Sequence, residues 1–130
     1  MFALDTNAVI HFFKGVGRVG DRLLATAPRE LALPAVVLYE IEVGLLRSTE
    51  SAKRRRQFEA LCSALQILPF GEEEARTAAQ VRAELEDAGA SIGPLDNLIA
   101  GTARHHGAIL VTHNTDEFGR VRGLTIEDWY

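Results

Sequence analysis

The sequence contains a single cysteine, Cys62, and this scarcity excludes an internal disulfide. A lone cysteine on a helix is usually a small apolar residue, and the lack of disulfides fits a reducing compartment, so we expect a cytoplasmic protein. No basic stretch followed by an apolar one stands near Met1, so we expect no secretory signal peptide. No apolar run approaches the ~20 residues that a membrane helix requires, and we expect no membrane association.

Positive charge is scarce as well. Lysine and arginine number 14 against 18 acidic residues, a net charge of −4, whereas nucleic-acid-binding domains are often basic. A phosphodiester-cleaving enzyme can nevertheless be acidic overall, because carboxylates build its metal site and the bound cations reverse the local sign. The basic run Lys53–Arg56 is a candidate RNA contact, and a solvated helix face explains it equally well.

The 130 residues, 47% of them hydrophobic, suit one domain with a sizeable core. Strands are predicted to alternate with helices, which indicates an α/β fold whose mostly parallel central sheet is covered on both faces. Such sheets bind ligands at the carboxyl ends of their strands. The predicted strands are a first one ending at Leu4, Leu31–Leu33 stopped by Pro34, Gln66–Phe70, Ala108–Thr112 and Leu124–Ile126. The predicted helices are Thr6–Lys14, Val19–Ala27, Val36–Arg47, Ser51–Leu65, Glu72–Ala88 and Pro94 to about His106.

Four regions of the sequence carry a candidate functional carboxylate, and each of these carboxylates also has an ordinary structural explanation. Asp5 can cap a helix, Asp96 can complement a helix dipole, and Glu40 can be an exposed helix residue. A polar turn after the fourth strand offers Asp116 or Glu117. The four regions follow strands or lie on the helices after them, however, so these side chains are predicted to converge on one pocket.

Converging carboxylates repel one another unless divalent cations neutralise them. Oxygen ligands favour Mg²⁺ or Mn²⁺ over zinc. The histidines agree with this preference, because His105 and His106 are adjacent rather than one turn apart, and His11 and His113 have no matching partners at ligand spacing. A zinc site is therefore not expected.

The ordered set of motifs resembles the PIN-domain VapC toxins over nearly the whole chain. The opening Leu4-Asp5-Thr6-Asn7 is similar to the start of that family. The family's second motif, Glu-x-x-x-Gly, is matched by Glu40 and Gly44. Its later motifs are matched by Gly93-Pro94-x-Asp96-x-x-Ile99-Ala100 and Val111-Thr112-x-Asn114-x-x-Glu117-Phe118, and the ending Ile126–Trp129 is also similar.

The resemblance implies a single PIN domain over residues 1–130, a three-layer α/β/α sandwich. It implies a Mg²⁺-dependent endoribonuclease toxin held by a VapB-like antitoxin, as a homodimer or a toxin–antitoxin hetero-oligomer. The anticodon stem-loop of initiator transfer RNA is the substrate that the resemblance suggests. The implied metal ligands are Asp5, Glu40 and Asp96, the fourth acid is Glu117 with Asp116 as the fallback, and the supporting residues are Thr6, Thr112 and Asn114.

In such a site, one or two metal ions would activate water for in-line attack on a phosphodiester. A phosphoacceptor receiver domain is a poorer match, because the only lysines, Lys14 and Lys53, are not near the last strand. A dehalogenase-like phosphatase would need a second aspartate at position 7, where this chain has Asn7. A non-catalytic module that holds RNA or a partner stays as the alternative.

Overall fold

A sheet of five short strands forms the centre of the computed structural model, which describes residues 1–130. The strand order is β3-β2-β1-β4-β5, and every pairing is parallel. The predicted parallel sheet is thus confirmed. The strands are β1 (Phe2–Leu4), β2 (Leu31–Pro34), β3 (Gln66–Leu68), β4 (Ile109–Val111) and β5 (Ile126–Glu127).

Helices connect the strands and cover the sheet. All four residues of β2 are buried, and since alternate side chains of a strand point to opposite faces, both faces of the sheet are covered. The helices are α1 (Thr6–Lys14), α2 (Val19–Leu24), α3 (Ala35–Arg47), α4 (Ala52–Ala64), α5 (Glu72–Asp87), α6 (Pro94–His105) and α7 (Thr115–Phe118), with a 3₁₀ turn at Pro28–Glu30. The predicted α/β architecture is confirmed.

Three predicted boundaries near prolines are wrong. Strand β3 ends at Leu68 rather than Phe70, because Pro69 follows and has no N–H to continue the ladder. Strand β2 includes Pro34, which pairs with Leu68 of β3. The pairing of β2 with β1 reaches only Ala32, so the missing proline N–H is not needed on that side. Helix α2 ends at Leu24 rather than Ala27, because Pro28 follows and Ala27 has an extended backbone.

Two further differences lie near the C-terminus. The segment interpreted as a polar turn contains the short helix α7 (Thr115–Phe118), which buries Phe118. The last strand is Ile126–Glu127 rather than Leu124–Ile126, because it is the carbonyl of Glu127 that accepts from the N–H of Thr112. The shift leaves Leu124 outside the sheet.

The core is one cluster of 26 buried hydrophobic residues that draws on both layers of helices. Helices α5 and α6 pack closely, since a Cβ atom added to Gly101 would lie 2.5 Å from the Cα atom of Ala78. Glycine at position 101 therefore sets the distance between these two helices. None of the helices combines the length and the apolar character that a membrane span requires.

Candidate active site

The predicted acidic residues lie at the carboxyl edge of the sheet. Asp5 directly follows β1, and its N–H donates to the carbonyl of Val111 at the end of β4 (3.1 Å). Glu40 lies on α3 after β2, and Glu117 lies on α7 after β4. Asp96 lies in the first turn of α6. The parallel sheet therefore brings together residues that are far apart in the sequence.

Asp5 is the most deeply buried of these acids, with 3% of its surface exposed. Its Oδ1 accepts from the N–H of Ala8 (2.7 Å), so the helix-cap interpretation is correct, but capping occupies only that oxygen. Burial raises the pKa of the Asp5 carboxyl, against the opposing effects of hydrogen bonds from Thr112 and Ala8 and of the nearby His11. A buried carboxylate of this kind is stabilised by a nearby cation.

Glu40 is held by a residue from another helix. The hydroxyl of Thr6, the first residue of α1, donates to Oε1 of Glu40 across 2.7 Å. The neighbouring Glu42 instead forms a salt bridge with Arg55 (3.1 Å). Of the two glutamates, only Glu40 is linked to the N-terminus of α1, where Asp5 lies.

Asp96 shows most directly that the acids converge. Partial burial raises the pKa of Asp96 to about 6, with further contributions from the charges of Glu117, Glu40 and Asp5. The charges of neighbouring carboxylates add to the effect of burial when they are close and poorly screened. Glu117, Glu40 and Asp5 are therefore near enough for their charges to influence Asp96.

The structure distinguishes between the two candidates for the fourth acid. The side-chain amide of Asn114 donates to Oε2 of Glu117 (3.1 Å), and the N–H of Asn114 donates to the hydroxyl of Thr112 (2.9 Å). Asp116 is exposed and is not among the charges that raise the pKa of Asp96. Glu117 is thus the acid that the fold brings to the site.

The donor set of this site fits a hard divalent cation. All the candidate ligand atoms are carboxylate oxygens, which Mg²⁺ and Mn²⁺ prefer. No three of the four acids have ligand atoms within 4.8 Å of one another, so the site is open rather than a closed cage. An open site leaves coordination positions for water and for substrate.

The histidines are arranged in a way that the sequence analysis missed. His113 stacks on Tyr130 with ring centroids 4.2 Å apart, and His11 meets the same tyrosine edge-on at 4.9 Å. Oδ2 of Asp128 accepts a hydrogen bond from Nδ1 of His113 at 2.9 Å. These contacts are not a set of metal ligands, because neither histidine belongs to a group of three metal-ligating side chains, and Nδ1 of His11 has no hydrogen-bond partner. Tyr130 is distant from both histidines in the sequence, and Asp128 from His11, so no periodic spacing could have revealed the contacts.

The basic run Lys53–Arg56 is divided between two roles. Arg54 donates to the carbonyl of Phe13 and lies over its ring, and Arg55 pairs with Glu42. Lys53 and Arg56 are exposed and have no hydrogen-bond partner. Half of the run therefore anchors α4, and the other half is available to a ligand.

Comparison with known proteins decides the family. The sequence model described as "PIN domain" matches residues 2–124. The chain belongs to the PIN-domain family. The order and placement of the acids in this PIN domain agree with the resemblance that the motifs indicated.

Comparison with curated relatives and solved structures shows which PIN domains this chain resembles. It is 35% identical to the tRNA(fMet)-specific endonuclease VapC of Shigella flexneri, over 98% of this chain and 97% of the relative. It is 33% identical to ribonuclease VapC2 of Rickettsia felis, over 99% of this chain and 98% of the relative. The crystal structure of VapBC2 from Rickettsia felis bound to a promoter DNA fragment has a TM-score of 0.91, with 30% identity over 99% of this chain and 98% of that one. The chain is thus a VapC-type PIN ribonuclease, and the predicted enzyme class is confirmed.

Proposed function

We propose that this chain is the toxin of a type II toxin–antitoxin pair, a metal-dependent endoribonuclease that cleaves RNA with its four-acid site. The observation that carries the proposal is the placement of the acids on elements that meet at the carboxyl edge of the parallel sheet, with Asp5 bound to the end of β4 and Glu40 bound to Thr6 at the start of α1. We also propose that residues 1–130 are one PIN domain. The family match over residues 2–124 and the burial of Trp129 in the common core support this extent.

Asp5, Glu40 and Asp96 are proposed to hold Mg²⁺, or Mn²⁺, with Glu117 completing the acidic shell. When bound, the ion lowers the pKa of water and stabilises charge on the attacked phosphate. Thr6 orients Glu40, Thr112 orients Asp5, and Asn114 orients Glu117 by the hydrogen bonds described above. Mutation of a residue that hydrogen-bonds to a metal ligand typically lowers metal affinity or activity by about 10- to 100-fold.

The RNA is proposed to be bound partly through exposed basic side chains. Lys53 and Arg56 of α4 have no partner within the chain, and Lys14 lines the same cavity as Glu40. The name of the Shigella flexneri relative supports initiator transfer RNA as the substrate class. We propose the anticodon stem-loop of that RNA as the cleavage region and the cytoplasm as the compartment. An unpaired loop lets the backbone bend into the pocket.

A VapB-like antitoxin is proposed to occupy the groove between α1, α3 and α4. This groove holds a cavity of about 210 Å³ that includes Glu40 and Gly44, and nothing lies within 4 Å of a Cβ atom built on Gly44. An arginine of the antitoxin could therefore reach Glu40 from the groove and pair with it. VapBC complexes among the similar solved structures support a hetero-oligomer, and the homodimer stays a prediction.

Cleavage assays on purified protein test the proposal. We expect cleavage of RNA with Mg²⁺ or Mn²⁺ and none with chelator, and loss of cleavage in Asp5→Asn, whose amide oxygen can still cap α1. Asp116→Asn is the matched control and should cut like the wild type, because Asp116 is exposed and outside the acid site. Expression without a partner should arrest growth for the wild type and not for Asp5→Asn. RNA binding without metal-dependent cleavage would favour the non-catalytic alternative instead.

The chemical ends of the products test the identity of the nucleophile. Histidine-based ribonucleases use the 2′-hydroxyl as the nucleophile and leave a cyclic or 3′-phosphate. His11 and His113 have ring centroids 6.0 Å apart, and the charge of His11 influences Asp5, so this second mechanism has a structural basis. Water supplied by the metal site should leave a 5′-phosphate and a 3′-hydroxyl. A persistent 2′,3′-cyclic phosphate, lost in His11→Gln, would refute the water mechanism.

A further inference from the structure

A second cluster of metal-ligating side chains lies at the far end of α6 from the acid site. Asp96 is in the first turn of α6, and His105 is its last residue, so they are separated by about 13 Å along the helix axis at 1.5 Å per residue. His106 follows, and both histidines meet the first turn of α5. The cluster is therefore separate from the site that acts on RNA.

The geometry of the cluster is nearly that of a metal site. One ligand atom from each of Glu74, His105 and His106 lies within 4.8 Å of the other two. His106 Nε2 is 2.7 Å from Glu74 Oε2, and His105 Nε2 is 3.1 Å from Glu73 Oε2. The ligand atoms of a tetrahedral zinc site are about 3.3 Å apart, as its bond lengths of roughly 2.0 Å require. Side-chain adjustments that bring the three ligand atoms to this spacing would close the cluster around an ion.

The groups behind the ligands hold them in place. The side chain of Glu74 is 6% exposed, and its second oxygen accepts from the N–H of Gly71 (2.9 Å). His105 Nδ1 lies 3.4 Å from the hydroxyl of Thr77, so Nε2, which contacts Glu73, is the nitrogen that would face an ion. Hydrogen bonds to the second atom of a ligand are characteristic of built metal sites. The close packing of Gly101 against Ala78 fixes the distance between the two helices that supply the ligands.

Two separate histidine–glutamate salt bridges would explain this arrangement less completely than a metal site does. Histidines near a helix C-terminus are stabilised by the helix dipole, and each could simply pair with a glutamate. That explanation does not require both imidazoles and the buried carboxylate to turn toward one point. The mixed nitrogen and oxygen donors also differ from the acid site, because imidazole favours zinc, nickel and copper, whereas oxygen-only sites favour magnesium and manganese.

We propose that Glu74, His105 and His106 bind a zinc-class divalent cation that fastens the start of α5 to the end of α6. The spacing of the histidines in the sequence does not reveal this cluster, because Glu74 lies some thirty residues earlier and reaches the histidines across a helix–helix contact. The bound ion links α5 to the helix that carries Asp96. Its occupancy stabilises the folded chain in proportion to the logarithm of the free ion concentration above the dissociation constant.

The test compares zinc binding by the wild type and by His105→Gln/His106→Gln, with Mg²⁺ in excess to occupy the acid site. Glutamine can still donate to Glu73 and Glu74, so the double variant keeps the hydrogen bonds and loses the imidazole ligands. The background carries Cys62→Ser, which removes the only thiol. His113→Gln is the matched control, because it removes a histidine outside the cluster.

We expect calorimetry to give one zinc ion per wild-type chain and per His113→Gln chain, with a rise in Tm on zinc addition. The double variant should lose at least tenfold in affinity and should show no zinc-dependent rise in Tm. The exposed single variant His105→Gln should show an intermediate loss, which keeps the test valid if the double variant folds poorly. Equal zinc affinity in wild type and His105→Gln/His106→Gln, or no zinc binding by the wild type, would overturn the proposal.

Discussion

Replacing Asp96 with asparagine should stabilise the metal-free protein at neutral pH. The folded chain raises the pKa of Asp96 from its usual 3.8 to about 6, chiefly by burial and then by the charges of Glu117, Glu40 and Asp5. Between these two pH values the folded state binds more protons at this group than the unfolded state does. Stability is therefore lost as pH rises through this range, and the full penalty applies above it.

The size of the effect follows from that difference in pKa. The step from 3.8 to about 6 corresponds to about 3 kcal/mol at 1.36 kcal/mol per pH unit. Asp96 is only half-buried, so solvent screening reduces the gain expected from Asp96→Asn to about 1–2 kcal/mol. For a chain of this size that gain raises Tm by roughly 4–8 °C.

Thermal and urea unfolding in chelator at pH 7.5 and pH 4 would measure the gain. Asp96→Asn should exceed the wild type at pH 7.5, and the two should converge at pH 4, where the wild-type carboxyl is protonated. Asp116→Asn, an exposed acid on α7, should show no such gain. Mg²⁺ should narrow the difference, because it stabilises the wild type by binding. A variant less stable than the wild type in chelator at pH 7.5 would show that the acids do not repel one another as described.

Three other substitutions test the packing and the support of the site. Gly101→Val should lower the free energy of unfolding by about 1–3 kcal/mol or more, since even its Cβ atom would lie 2.5 Å from Ala78. A urea midpoint unchanged from the wild type would contradict the close helix contact. Phe118→Ala should cost about 3–5 kcal/mol, because the ring is 1% exposed, and a smaller loss would mean that α7 is dispensable to the core. Thr6→Val should lower Mg²⁺-dependent cleavage by about 10- to 100-fold with little change in Tm, because it removes the hydrogen bond to Glu40; full activity would show that this bond does not position the acid.

Helix caps and the alternation of strand and helix patterns were enough to predict the elements whose bounds depend on neighbouring residues. Helix α1 has its predicted bounds, because Asp5 caps its start and Gly15 ends it with a left-handed backbone (φ 67°). The alternation of strands and helices predicted the parallel sheet, and the rule for strand ends then placed the four acids together. Helix α7 was missed because four residues are too few to show a helical period.

The features that sequence reasoning missed all depend on contacts between distant segments. His113 packs against Tyr130, and Glu74 contacts His106, across segments that the fold brings together. Neither pair has a spacing that marks it in the sequence. The same holds for the basic run at Lys53–Arg56, whose pattern could not show that Arg54 and Arg55 are used within the fold.

The central position of β1 has a consequence for the chain during its synthesis. Asp5 precedes Val111 by more than a hundred residues, yet its N–H donates to the carbonyl of Val111, and Thr112 and Glu117 come later still. The pocket cannot be completed until Glu117 has emerged from the ribosome. Contacts of such long sequence separation also form slowly. If the chain is the toxin proposed above, its acid site is incomplete until β4 and α7 have joined the sheet, and that interval is time in which an antitoxin already present can meet it.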